Sequence, residues 1–361
     1  MSWKCAAIDH GVTIFPNGKI GPCCQISADY LKSIDELPNP DRFADLKTEK
    51  APIACETCSR NESNNLPSYR SIFNKLATTG KGIQFVDIRH SNLCNLKCRY
   101  CGPHFSSQWV SELKLPASVE VDLMALKNQI ITDDLHWMYF TGGEPLINSV
   151  HWALLQELVD SGRSNKISLL YNTNLTTIKY KNINIINLWN KFKSVKVHCS
   201  IDAIGQPLEY IRSGTEWSVI ENNLQQLINH TNKTNIDLAL SPVISILNLW
   251  FLPELLSYAE QNNLAVNPIV LSGPDYLALN VMPDELKEMA LKKVSECDKW
   301  LVKSMVKYLQ ELINNNINQC LFFHTLNHIL LLDNIRDEKL FDLLPFKELA
   351  KIKILRNYEY E

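Results

Sequence analysis

No stretch of this chain approaches the ~20 consecutive apolar residues that a helical membrane span requires. The start, Met1-Ser2-Trp3-Lys4-Cys5, is not followed by the apolar core of a signal peptide, so the expected compartment is the cytoplasm, where thiols stay reduced. Neither sign of charge dominates: 36 Lys and Arg against 39 Asp and Glu leave a net charge of −3. That is too little to build a field for phosphate backbones, and nucleic acid is not an expected partner. Repeats, low-complexity tracts and a dinucleotide-binding glycine fingerprint are also missing. What is present is cysteine, 11 of 361 residues.

Spacing divides these thiols. Eight lie within the first 101 residues, at positions 5, 23, 24, 55, 58, 94, 98 and 101, while Cys199, Cys297 and Cys320 are scattered singly. Clustered thiols in a reducing compartment read as metal ligands, and scattered ones as small buried hydrophobes.

The chain length suggests two or three domains. Residues 1–75 hold five cysteines and turn signals but little periodicity. Val12 to Phe15 and Lys19-Ile20 flank an Asn-Gly turn, which predicts a hairpin. So small a unit buries little core and would need metal to hold it. From about residue 82, apolar runs at 83–88, 135–140, 167–171, 194–199, 236–240 and 266–271 alternate with stretches of helical period. Six such units predict an α/β fold, a partial (βα)6 TIM-type barrel over 76–275. Beyond it, 276–361 reads as a C-terminal helical extension, with helices at 284–315 and 322–332.

The sharpest local signal is Cys94-Asn-Leu-Lys-Cys98-Arg-Tyr-Cys101, directly after the first barrel strand. Three thiolates at this spacing suit one face of a [4Fe–4S] cluster and leave one iron open. Zinc with a distant fourth ligand, His90 or His104, is the alternative. Other strand ends carry polar groups as well: Thr141-Gly142-Gly143-Glu144-Pro145, Asn172-Thr173-Asn174, Ser200-Ile201-Asp202 and Ser241-Pro242. In barrels of this kind, chemistry gathers at the C-terminal ends of the strands. Paired glycines let backbone approach a ligand closely, and the carboxylate beside them suits an ammonium group.

The C-x3-C-x2-C run, with Tyr100 before its last cysteine, resembles the signature of the radical S-adenosylmethionine (radical SAM) superfamily, and Gly142 to Pro145 resembles that family's methionine-binding motif. The resemblance spans roughly 82–275. It implies that Cys94, Cys98 and Cys101 hold a [4Fe–4S] cluster whose open iron binds SAM, and that Gly142, Gly143, Glu144 and Pro145 contact the methionyl ammonium. Tyr100, Thr173, Asn174, Ser200 and Asp202 would line the cofactor site, and Arg212 would neutralise carboxylate. The implied chemistry is reductive cleavage of SAM to a 5′-deoxyadenosyl radical that abstracts hydrogen. A low-potential donor, flavodoxin or ferredoxin, would supply the electron.

The N-terminal Cys5, Cys23, Cys55 and Cys58 meet the coordination of a second cubane or of zinc, with Cys24 as the alternative to Cys23. Their setting resembles the auxiliary-cluster modules called SPASM and twitch, although such modules usually follow the barrel. By that likeness the expected activity is oxidative modification of a peptide or protein. A sugar, aminocyclitol or nucleoside-like metabolite is the second choice. A non-catalytic zinc-binding interaction protein is the alternative of another class. His324 and His328, four apart in an apolar setting, read as packing.

Overall fold

The computed structural model describes residues 3–117, 120–231, 234–296 and 319–339, with positions 303, 306–307, 310–311 and 343 besides. Nine strands form one sheet: β1 (Gly11–Ile14), β2 (Lys19–Gly21), β3 (Lys32–Ser33), β4 (Phe85–Ile88), β5 (Trp137–Phe140), β6 (Ser168–Thr173), β7 (Ser194–Cys199), β8 (Ile236–Leu240) and β9 (Ala265–Val266). Their order across the sheet is β9-β8-β7-β6-β5-β4-β1-β2-β3, and the pairings from β9 to β1 are all parallel. The six expected strands are β4 to β9 in sequential order, the course of a partial TIM-type barrel.

β-Branched and aromatic residues build these strands, and alternation decides their faces. On β6, Leu169, Tyr171 and Thr173 are buried while Ser168, Leu170 and Asn172 are only partly covered; on β7, Val195, Val197 and Cys199 are buried while Ser194, Lys196 and His198 are not. The buried set joins a core completed by helices: α1 (Ala6–His10), α2 (Glu56–Ser63), α3 (Tyr69–Leu76), α4 (Ser107–Glu112), α5 (Leu123–Ile130), α6 (Ser149–Asp160), α7 (Ile185–Trp189), α8 (Gln206–Ile211), α9 (Trp217–Thr231) and α10 (Leu252–Gln261). Each crossover returns the chain in the same direction, so the loops after β4, β5, β6, β7 and β8 share one rim.

The N-terminal hairpin forms as expected: Phe15 N–H donates to the Lys19 carbonyl (2.9 Å), with Gly18 at φ +70°. This region is not limited to the little core it could bury alone. β1 pairs in parallel with β4, and Ile8, Val12, Ile14, Ile20, Leu37, Phe43 and Leu46 bury into the same core as the barrel. The segment is short of apolar residues for a core of its own, and it shares one instead.

After the barrel come α11 (Asp284–Ser295) and α12 (Gln319–Arg336). The helix expected over 284–315 is described to Ser295, and most of its remainder lies outside the described residues. The Cys297 and Cys320 side chains lie outside them too. Among the described residues, no helix is long and apolar enough to cross a membrane.

Candidate functional site

The chain leaves β4 through Arg89, whose N–H donates to the Ile14 carbonyl, and enters the thiol loop 94–101. The loop has no secondary structure of its own, so neighbours must fix it. On one side stands the start of α4. Ser106 caps that helix and donates its hydroxyl to the Leu96 carbonyl (2.5 Å). Ser107 Oγ donates to the Cys94 carbonyl (3.0 Å), and Trp109 Nε1 to the Cys98 carbonyl (2.9 Å). On the other side, the Lys97 and Arg99 amides donate to the carbonyls of Ser213 (3.0 Å) and Ile211 (2.9 Å).

The Gly142-Gly143 pair turns out to accommodate protein backbone. Gly143 N–H donates to the Ser91 carbonyl and Glu144 N–H to Leu93 (3.2 and 2.8 Å). A Cβ on Gly143 would lie 2.1 Å from the Leu93 oxygen, and Gly142 sits at φ +105°, where only glycine is at ease. The glycines thus let this turn approach the backbone that leads into the thiol loop.

Glu144 is buried, and its carboxylate accepts from Leu146 N–H (3.0 Å), Thr173 Oγ1 (2.8 Å) and Asn174 N–H (2.6 Å). Three of roughly four acceptor positions are thus taken. Burial raises its pKa against these bonds. Asn174 in turn donates to Asn95 Oδ1 (3.1 Å), tying the end of β6 to the loop. Pro145 is buried at the start of the turn that Glu144 caps. The Ser200 side chain has no hydrogen-bond partner among the described residues.

Asp202 is fully buried and saturated. Its carboxylate accepts from Tyr100 Oη (2.6 Å), Arg212 Nε (2.8 Å), Arg212 Nη2 (3.3 Å) and Val243 N–H (2.8 Å). Arg212 also reaches Cys98, with Nη1 3.8 Å from Sγ. A guanidinium thus stands between a carboxylate and a thiol.

The three thiols interact electrostatically with one another and with Arg212. Burial pushes Cys94 up to about 12 and raises Cys98 and Cys101, while Arg212 pulls all three the other way. The donor chemistry, three buried or half-buried thiols beside the Arg212 cation, fits the anionic cluster that the resemblance implies. His90, considered as a fourth zinc ligand, instead has Nε2 against Asn148 (3.3 Å) and Glu120 (3.6 Å). Among the described residues no group of three or more His, Cys, Asp or Glu side chains converges in the way that holds a metal ion.

A cavity lies in the N-terminal region, walled by Cys5, Cys23, Cys55 and Cys58 with Ile8, Ile26 and Phe73. Cys24 is not in that wall. It lies in the electrostatic field of the buried Asp87 on β4 and accepts from Gln25 Nε2 (3.9 Å). Cys23 and Cys24 lie in the turn that follows β2, and only Cys23 reaches that wall.

Register brings together side chains that sequence reading passed over. Asp87, Tyr139, Leu170 and Lys196 lie side by side on the concave face of the sheet, and Asn172 and His198 form the pair one step nearer the rim. Arg89 Nε bonds both Asp87 oxygens (3.0 and 3.2 Å). Asn172 Oδ1 is buried without a protein partner among the described residues. The period-two alternation was the available signal. His324 and His328 both pack their rings against Tyr276 (4.6 and 4.8 Å).

Residues 88–240 match the model of the Radical SAM superfamily. The uncharacterized protein MJ0907 of Methanocaldococcus jannaschii is 28% identical over 183 residues, 49% of this chain and 58% of that protein. Among solved structures, native anSMEcpe with bound AdoMet is similar at a TM-score of 0.42 and 16% identity, covering 63% of this chain and 62% of that one. Streptococcus suis SuiB is similar at a TM-score of 0.37 and 14% identity, covering 74% and 58%. The chain spans about three fifths of the length of each of these relatives.

Proposed function

We propose that this chain, whose residues 88–240 match the Radical SAM superfamily model, is an enzyme that cleaves SAM reductively and oxidises a peptide or protein substrate. The observation that carries the reading is the thiol loop itself. It leaves the first barrel strand at the chemistry-bearing rim and is braced by both α4 and the turn after α8, with Arg212 against Cys98.

In this reading Cys94, Cys98 and Cys101 hold a [4Fe–4S] cluster with SAM on its open iron. Such a group supplies one-electron cleavage of the sulfonium, which gives methionine and a 5′-deoxyadenosyl radical. The protein's share is to bind, orient and exclude water. The last acceptor position of Glu144 and the backbone of Gly142, Gly143 and Pro145 serve the methionyl ammonium. Ser200, whose hydroxyl has no partner among the described residues, serves a ribose hydroxyl. Asp202 holds Tyr100 and Arg212 in place, with Thr173 and Asn174 as the opposing wall.

Cys5, Cys23, Cys55 and Cys58 would hold the auxiliary [4Fe–4S] cluster, which supports oxidation because it can accept the electron left on the substrate. The concave face favours a polar substrate bearing both signs of charge, as a peptide does: Lys196 lies in the same cross-strand row as Asp87, which pairs with Arg89, but three strands away, and His198 lies one step nearer the rim. A flavodoxin or ferredoxin would be the electron donor.

Anaerobic reconstitution should give about eight irons per chain, four for each cubane. Added SAM and dithionite should yield 5′-deoxyadenosine, and Cys98→Ala should abolish that product. Zinc alone after reconstitution, or 5′-deoxyadenosine from the Cys98→Ala variant, would overturn the assignment.

A further inference from the structure

Behind the thiol loop lies a buried network of charge that the proposed chemistry leaves unused. Arg99 sits between the ligand-type residue Cys98 and Tyr100, yet its side chain is 1% exposed and reaches to α12. Its Nη2 lies 2.6 Å from Asp333 and 2.6 Å from Glu338, on and just past α12. Its Nε donates to the Tyr210 carbonyl (3.0 Å), and its guanidinium lies 3.6 Å from the Tyr210 ring centroid. Tyr210 Oη donates to Asp333 (2.7 Å). Five residues earlier on α12, His328 Nε2 stands 3.4 Å from the Arg99 carbonyl.

The last residue of α12 repeats the arrangement. Arg336 bonds Glu112 through Nε (3.1 Å) and Nη2 (2.7 Å), reaches Ser213 Oγ (3.0 Å) and lies over the Trp109 ring (4.8 Å). Trp109 is the residue that holds the Cys98 carbonyl, and Glu112 also takes Lys97. Lys97, Arg99 and Arg336 are thus matched by Glu112, Asp333 and Glu338, three charges of each sign.

A helix that needed only to be attached would dock through apolar residues, as α12 does elsewhere with Phe322, Ile329 and Leu332. Buried ion pairs are poor stabilisers compared with apolar packing, but they demand fixed geometry of both partners. Here every pair ends on the thiol loop or on a residue that bonds it. We propose that α12 and its end brace the thiol loop from behind, with Asp333 and Glu338 as positioning residues for Arg99, and Arg336 for Trp109 and Glu112. The inference rests on reading residues 94–101 as a cluster loop.

The test compares Asp333→Asn with Phe322→Ala in the full chain, the second loosening α12 without touching the charges. Both should lower the melting temperature. Only Asp333→Asn should speed amide hydrogen exchange in peptides covering 96–101, by about tenfold beyond the Phe322→Ala value. It should also change the line shape of the reduced cluster's electron paramagnetic resonance spectrum when SAM is added. Glu338→Gln, at a less buried carboxylate, carries the same test if Asp333→Asn does not accumulate folded. Equal exchange in the two variants, or wild-type exchange and line shape in Asp333→Asn, would overturn the brace. If the wild type takes up no iron, the enzyme reading fails, while the exchange rates still decide whether α12 braces the loop.

Discussion

His151 is a basic side chain held where its charge has no place. It is 1% exposed, bonds Tyr171 Oη through Nε2 (2.8 Å), has a buried Nδ1 without a partner among the described residues, and is ringed by Phe140, Trp152 and Tyr171. Burial pushes its pKa down to about 3 from the usual 6.5. The folded chain then binds fewer protons than the unfolded chain between those values. Stability is therefore whole above about pH 6.5 and falls by about 1.4 kcal/mol per pH unit as pH drops toward 3. Urea unfolding at pH 7.5, 5.5 and 4.5 should show this slope, and His151→Phe should be less steep by about one proton. An unchanged slope in the variant would place the acid sensitivity elsewhere. Nothing in the local sequence Val150-His151-Trp152 marks this histidine, because its burial comes from β5 and β6.

At the scale of elements, the joint between the 142–145 turn and the thiol loop is the site's tightest feature. Gly143→Ala brings a methyl to 2.1 Å from the Leu93 carbonyl oxygen and must push the loop away. Gly102→Ala, beside Cys101, meets nothing within 4 Å. The first should lower stability by about 1–3 kcal/mol and impair iron uptake, while the second stays within about 0.5 kcal/mol. Equal stability and iron content for the two would show that the joint is not tight. The thiols and the Gly-Gly-Glu-Pro segment were legible in sequence because each is a short run placed after an apolar strand. The reason for the glycines was not, since it lies in backbone some 50 residues earlier. The same limit hid the Arg99 ion pairs, whose partners lie 234 and 239 positions away. Periodicity reports which face of an element is buried, never what covers it.

For the molecule as a whole, the question is what holds residues 3–80 in place. β1 is buried along its length and lies in register with β4 from Gly11–Phe85 to Ile14–Ile88. Removing residues 3–80 would leave β4 as a bare edge and strip from the core the packing supplied by Ile8, Val12, Ile14, Ile20, Leu37, Phe43 and Leu46. At about 1.5–3 kcal/mol for each such side chain, the loss exceeds ~10 kcal/mol and rivals the whole stability of a typical domain. Residues 81–361 alone should therefore aggregate or stay unfolded. Replacing Cys5, Cys23, Cys55 and Cys58 by serine should instead leave a cooperative thermal transition and native far-ultraviolet circular dichroism, while iron falls from about eight to about four per chain. A module held by metal would give the reverse pair of results, a soluble barrel without it and a disordered N-terminal region once the thiols are gone. Size-exclusion chromatography and circular dichroism on both variants separate the two, because a shared core predicts failure only for the deletion.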